Sequence, residues 1–113
     1  MYIQTNPEVE KFVYSLEKST IAKTLRTIDL LEKFGNQLGM PHSKKVSDGI
    51  FELRIRGQQE VRIFYCFYKN QIHLLSGFVK KSQKTPQQEL ARARNKYKTL
   101  TSWQNITYRL YCI

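Results

Sequence analysis

Cysteine is scarce in this chain of 113 residues: there are two, Cys66 and Cys112. Thiols so far apart match no zinc-ligand spacing and build no disulfide scaffold, so both are read as free thiols in a reducing compartment. Hydrophobic runs are short as well. None approaches the roughly 20 apolar residues that span a bilayer, and the start, Met1 to Pro7, lacks an apolar secretory core. The expectation is a cytoplasmic protein with no membrane partner. Conventional active-site signatures are missing too: there is no phosphate-cradling glycine loop and no nucleophilic-serine motif. His42 and His73 stand alone and read as structural or surface residues. Acidic residues number nine against nineteen Lys and Arg. Their scarcity argues against a carboxylate-held metal centre, so neither a metal nor a cofactor is expected.

What the chain has is positive charge, unevenly placed. The formal net charge is +10. Residues 1–43 carry five basic and five acidic side chains and are neutral. Residues 44–98 carry thirteen basic side chains against Asp48, Glu52, Glu60 and Glu89. A basic half beside a neutral half makes a directed field, and the partner it favours is a polyanion. A hydrophobic content of 41% is enough for one modest core in a chain of this length.

Local patterns predict an α+β fold. Asn6-Pro7 is a capping side chain followed by proline at the first helical position, and Val9, Phe12, Val13 and Leu16 recur at helical spacing behind it. A second helix is predicted from Thr20 to Phe34, with Ile21, Leu25, Ile28 and Leu31 as its apolar side and Gly35-Asn36 as its stop. The tight connection between them predicts an antiparallel helix hairpin. Gln37 to Asp48 reads as a loop. From Ile50 the period becomes two. Phe51, Leu53 and Ile55 alternate with Glu52, Arg54 and Arg56, and Val61, Ile63, Tyr65 and Phe67 alternate with Arg62, Phe64, Cys66 and Tyr68. A third strand covers Ile72 to Lys80. These strands predict an antiparallel meander with one face on the helices and one face free. Thr85-Pro86, with Gln88 following, reads as a capping box for a last helix ending near Tyr97 or Lys98. The expected organisation is one domain over residues 1–98 and a tail over 99–113.

The free face of the sheet is the candidate site. Arg54 and Arg56 share that face on one strand, Arg62 lies just past the turn, and Lys80, Lys81 and Lys84 follow the third strand. Together they place six cations around one surface, with Tyr65, Tyr68 and Tyr97 as possible aromatic neighbours. Cations hold phosphate and aromatic rings stack on bases. Such residues suit metal-free RNA cleavage, in which a 2′-hydroxyl attacks the adjacent phosphorus while cations stabilise the phosphorane. On a solvated face, Arg62→Ala is expected to leave folding nearly intact, within about 0.5 kcal/mol.

Four segments carry a family resemblance. They are Leu38-Gly39-Met40-Pro41-His42-Ser43-Lys44-Lys45, Asp48 to Arg56, Glu60-Val61-Arg62-Ile63-Phe64-Tyr65, and Gly77 to Pro86. In order, they resemble the phage-derived HigB-like branch of the RelE/ParE toxin superfamily, over about residues 8–98. The resemblance implies the RelE-like fold, a helix hairpin on a curved antiparallel meander with a closing helix. It implies a toxin of a type II toxin–antitoxin system that cleaves mRNA on the ribosome, with a cognate antitoxin as partner, often of helix-turn-helix type. By position it makes Arg54 a basic site residue and Arg62 a phosphate contact, and places a further catalytic cation among Lys80, Lys81 and Lys84. Lys44, Lys45, Arg56, Tyr65 and Tyr97 are the expected RNA contacts. Glu52 departs from the pattern, standing where some relatives carry lysine, and the tail after Lys98 lies outside it. The superfamily also includes ParE-type members that act on gyrase. A gyrase-binding inhibitor and a plain nucleic-acid-binding module are therefore the rival readings.

Overall fold

The computed structural model describes residues 1–112, with side chains described through Ser102. The elements are β1 (Tyr2–Gln4), α1 (Pro7–Tyr14), α2 (Lys18–Phe34), a short 3-10 turn (Gly35–Gln37), β2 (Ser43–Ser47), β3 (Ile50–Ile55), β4 (Val61–Tyr68), β5 (Gln71–Val79) and α3 (Gln87–Cys112). The strands form one sheet in the order β1-β5-β4-β3-β2. Strand β1 runs parallel to β5, and the remaining pairs are antiparallel.

The α1 cap forms as its sequence requires. Asn6 Oδ1 accepts from the Val9 N–H at 2.9 Å, and Pro7 opens the helix. The other end of the same amide donates to the carbonyls of Leu74 and Leu75, at 3.0 and 3.3 Å. One side chain thereby starts α1 and fastens it to β5. Gly35 closes α2 at φ +54°, a left-handed backbone that glycine takes without a Cβ penalty.

Three expectations about the elements change. Strand β2 occupies part of the segment expected to be a loop, and pairs with β3 through a turn at Asp48-Gly49. Its two lysines hide the strand pattern, yet lysine suits an exposed sheet edge. Helix α2 buries Thr20, Thr24, Thr27 and Leu31, while Leu25 is exposed. Of the predicted apolar side, Leu31 is buried and Ile21 and Ile28 pack partly buried against the core, while small threonines let the helix approach the sheet and shift the centre of the stripe away from Leu25. Helix α3 continues through Cys112 rather than ending at Tyr97 or Lys98, since no glycine or proline interrupts 87–112. The Thr85 hydroxyl bonds Glu52, not the helix start, so the expected capping box is not formed. The role expected of the tail lies, for the side chains after Ser102, outside the described residues.

The sheet has a core on each face. On one side Val9, Val13, Leu16 and Leu31 pack on Leu53, Ile55, Val61, Ile63, Tyr65, Ile72 and Leu74. On the other, Ala93, with Leu90, Tyr97 and Leu100, packs on Ile50, Phe64, Cys66, Leu75 and Phe78. The expected free face is thus half covered by α3. Each fully buried aliphatic side chain contributes roughly 1.5–3 kcal/mol. Strand alternation lets Leu74 and Leu75 serve opposite cores, and a bulge where β4 shifts register against β5, between Phe64 and Tyr65, leaves Leu75 as the extra residue. Burial pushes the Cys66 thiol up to about 11, as befits an inert core thiol. Among the described residues, no helix is long and apolar enough to cross a membrane.

Candidate nucleic-acid interface

The part of the sheet that α3 leaves uncovered is built around Glu52. Its residues follow from strand register. Lys44 lies opposite Glu52, and Arg54 lies opposite Arg62, which in turn faces Phe78. Opposed residues share a face, so Lys44, Glu52, Arg54 and Arg62 project to the same side.

Three groups converge on the Glu52 carboxylate. Arg54 Nε and Arg62 Nε each lie 3.6 Å from Oε1, and the Thr85 hydroxyl donates to Oε2 at 3.4 Å. The Glu52 and Arg62 side chains are 4% and 3% exposed, and that of Arg54 is 13% exposed. Burial of one carboxylate is tolerated because two guanidiniums surround it. At 3.6 Å neither Nε–H makes a true hydrogen bond, and both are buried without one. Arg62 is further engaged, donating to the Val61 carbonyl at 3.1 Å and pairing with Glu60 at 3.2 Å. Glu60 is itself 41% exposed, so this last contact is the one solvent can loosen.

The lysines ring this centre. The Lys80 N–H donates to the Glu60 carbonyl at 2.6 Å, extending the ladder past β5, and strand alternation then puts Lys80 on the Arg62 side. Lys81 and Lys84 are exposed on the loop between β5 and α3, which Thr85 ties down over Glu52. Lys44 stands exposed on the edge strand. Among the described residues, no group of three or more His, Cys, Asp or Glu is placed to hold a metal ion.

Other expected contacts lie elsewhere. Tyr65 is 1% exposed, in the core under α1 and α2, where it stacks on Phe51 and its hydroxyl bonds Ser43. Burial raises its pKa, against the opposing Ser43 hydrogen bond. It offers no face to a base, because its odd-numbered partners Val61 and Ile63 put it on the packed side. Tyr97 is part of the core beneath α3, with its hydroxyl against Gly49. That turn is roughly 17 Å from Arg54 along β3, at the strand rise of about 3.3 Å. Tyr68 ends β4, where its ring neighbours His73. Lys45 lies opposite Phe51 and so projects away from Arg54 and Arg62. Arg56 is exposed just past β3, and its carbonyl accepts from Lys23 Nζ at 2.7 Å.

Sequence reasoning missed Glu52 as the centre, along with Glu60, Thr85 and Lys23. A signal existed for Glu52 and Glu60: each is a carboxylate two residues before an arginine, Arg54 and Arg62, where alternation shares a face. Thr85 and Lys23 come from a loop and a helix distant in sequence.

The family model for phage-derived Gp49-like proteins matches residues 11–98. The chain belongs to this family. Among its relatives, HigB3 of Mycobacterium tuberculosis, a protein named as a toxin, is 38% identical over 65 residues. That alignment covers 54% of this chain and 56% of the relative, so the chain spans little more than half of that protein's length. Solved structures share the fold. Escherichia coli toxin RelE, as a free mutant, gives a TM-score of 0.61 at 9% identity, over 84% of this chain and 95% of that one. The RelBE2 toxin–antitoxin complex of M. tuberculosis gives 0.54 at 14% identity, over 70% and 96%. The YoeB–YefM toxin–antitoxin complex of Staphylococcus aureus gives 0.51 at 20%, over 73% and 97%. This member of the Gp49-like family therefore has the α+β fold of the RelE-type toxins, with β1 making the sheet mixed rather than wholly antiparallel.

Proposed function

We propose that this protein is the toxin of a toxin–antitoxin pair, and that it inhibits translation by cleaving mRNA on the ribosome without a metal ion. The observation that carries this reading is the set of cations at the uncovered end of the sheet. Lys44, Arg54, Lys80, Lys81 and Lys84 surround the buried Glu52–Arg62 pair. Phosphate is the ligand such a set selects. Both carboxylates nearby, Glu52 and Glu60, are committed to arginines rather than free for a metal.

In the proposed reaction O2′ bonds to the adjacent phosphorus and the P–O5′ bond breaks, leaving a 2′,3′-cyclic phosphate and a 5′-hydroxyl. O2′ loses a proton and O5′ gains one. Arg54 and Lys84 hold the phosphate and stabilise the charge that builds on the phosphorane. Lys80 and Lys81 orient the strand and shift protons. Arg62 joins the phosphate once Glu60 swings away. The proposed partner is a cognate antitoxin, of helix-turn-helix type, that blocks this surface reversibly in the cytoplasm. Toxin–antitoxin complexes among the fold neighbours support the partner.

Primer extension on a reporter mRNA after induction tests the reading. New 5′ ends within the coding sequence are expected, and Lys84→Ala should abolish them while the protein stays folded. DNA damage without such ends would overturn the nuclease and favour a gyrase inhibitor.

A further inference from the structure

Beside Arg54, on the α2 side of the sheet, lies a cleft of about 200 Å³ that the cation set above does not include. Lys23 and Thr27 of α2 form one wall. Pro41 and His42, leading into β2, form another, and Arg54 and Arg56 close it at the end of β3. The backbone holds these parts together: the Arg54 N–H donates to the His42 carbonyl at 2.8 Å, and Lys23 Nζ donates to the Arg56 carbonyl at 2.7 Å.

The charge of this cleft is unbalanced. Arg54 shares Glu52 with Arg62, but Lys23 and Arg56 have no carboxylate within 4 Å among the described residues. No acidic side chain lines the cleft. Lysine and arginine side chains are donors without acceptors. The charged groups of the lining, Lys23, Arg54 and Arg56, sit among apolar Pro41 and Ile55 and are all donors, and such a set favours a ligand that only accepts, as a phosphodiester does, over a base edge that mixes donors and acceptors. Arg54 belongs both to this cleft and to the Glu52 centre. Arg54 thus joins the cleft to the centre at the end of β3.

We propose that the Lys23–His42–Arg56 cleft is a second phosphate subsite, which binds the RNA backbone next to the scissile position and sets the strand's path. The proposal rests on the RNA-cleaving reading, and names a subsite that the reading alone does not require.

The test is binding of an uncleavable 2′-O-methyl RNA twelve-mer by the full chain, measured against salt. Lys23→Ala should weaken binding three- to tenfold and lower the slope of log K against log salt by about 0.7, the loss of one phosphate contact on a single strand. Lys23→Arg should restore both. A dinucleoside monophosphate, with its single phosphate, should bind wild type and Lys23→Ala equally. Lys33→Ala, further along α2, should leave the slope unchanged. An unchanged slope in Lys23→Ala would overturn the subsite, as would an equal loss in Lys33→Ala or a loss extending to the dinucleotide. In those cases wild-type RNA binding keeps the RNA-cleaving reading intact. Failure of wild type to bind the twelve-mer both when free and when seated on ribosomes would overturn both.

Discussion

Arg62 and Glu52 meet diagonally across neighbouring strands, 3.6 Å apart, with almost no exposed side-chain surface on either. Their burial reverses the expectation that Arg62 can be truncated without structural cost. Arg62→Ala leaves the Glu52 carboxylate buried with Arg54 as its remaining guanidinium. Loss of one partner of a buried pair costs about 3–5 kcal/mol, and Arg54 keeps the effect near about 3. A urea melt should show a clearly lower midpoint for Arg62→Ala, with Lys81→Ala within about 0.5 kcal/mol of wild type. An unchanged midpoint for Arg62→Ala would mean that the pair is not stabilising.

Glu60 holds the outer nitrogen of Arg62 while remaining 41% exposed. On the proposed function, a phosphate has to displace it. Glu60→Gln removes the competing charge and should tighten RNA binding two- to fivefold, with stability moved by no more than about 0.5 kcal/mol. Weaker RNA binding by this variant would instead make Glu60 part of the binding surface.

Gly77 lets α1 lie close on β5. A Cβ at this position would stand 2.6 Å from Phe12 Cδ2 and 2.7 Å from Cε2. Overpacking of this kind costs about 1–3 kcal/mol, so Gly77→Ala should lower the melting midpoint. Phe12→Leu in the same background should recover part of the loss, giving a non-additive double-mutant cycle. Strict additivity would show that the ring moves aside freely.

Glu8 ties α1 to α3 through Lys96 and Arg92. The hydrogen bond from Lys96 lowers its pKa below the ordinary 4.5, burial opposes, and the charges of Lys96 and Arg92 lower it further. Because the folded value lies below the unfolded one, the stabilisation is present above about 4.5 and is lost as pH falls through the folded value. The side chain is half exposed, so the effect stays below about 1 kcal/mol. Melting curves of wild type and Glu8→Gln should differ at neutral pH and converge on acidification below that range. A gap that persists into strong acid would locate its cause outside the ion pair.

Much of the fold was legible because its signals are local. Asn6-Pro7 marks a helix start whatever surrounds it, and the period-two runs at 50–55 and 61–68 announce strands without reference to their neighbours. The excess of cations after residue 43 likewise needed only counting, and it pointed to a polyanion before any geometry was available. The candidate site was half legible. Alternation placed Arg54 beside Glu52, but it could not tell a solvated face from one shielded by a loop.

The sequence by itself determined the α1 cap, the glycine stop of α2 and the three central strands, since these follow from backbone preference and side-chain spacing within a few residues. Tertiary structure alone decided the rest. Three residues of β1 form a strand only because β5 offers them a parallel edge, about 70 positions away. Helix α2 turns its threonines inward because the sheet leaves room for small side chains. Glu52 is central because Arg62 from the next strand and Thr85 from a distant loop converge on it, which no local pattern announces. Contacts between residues distant in sequence set the dielectric around a charge, and that decides whether an arginine is a solvated hand for phosphate or a buried support for its neighbours.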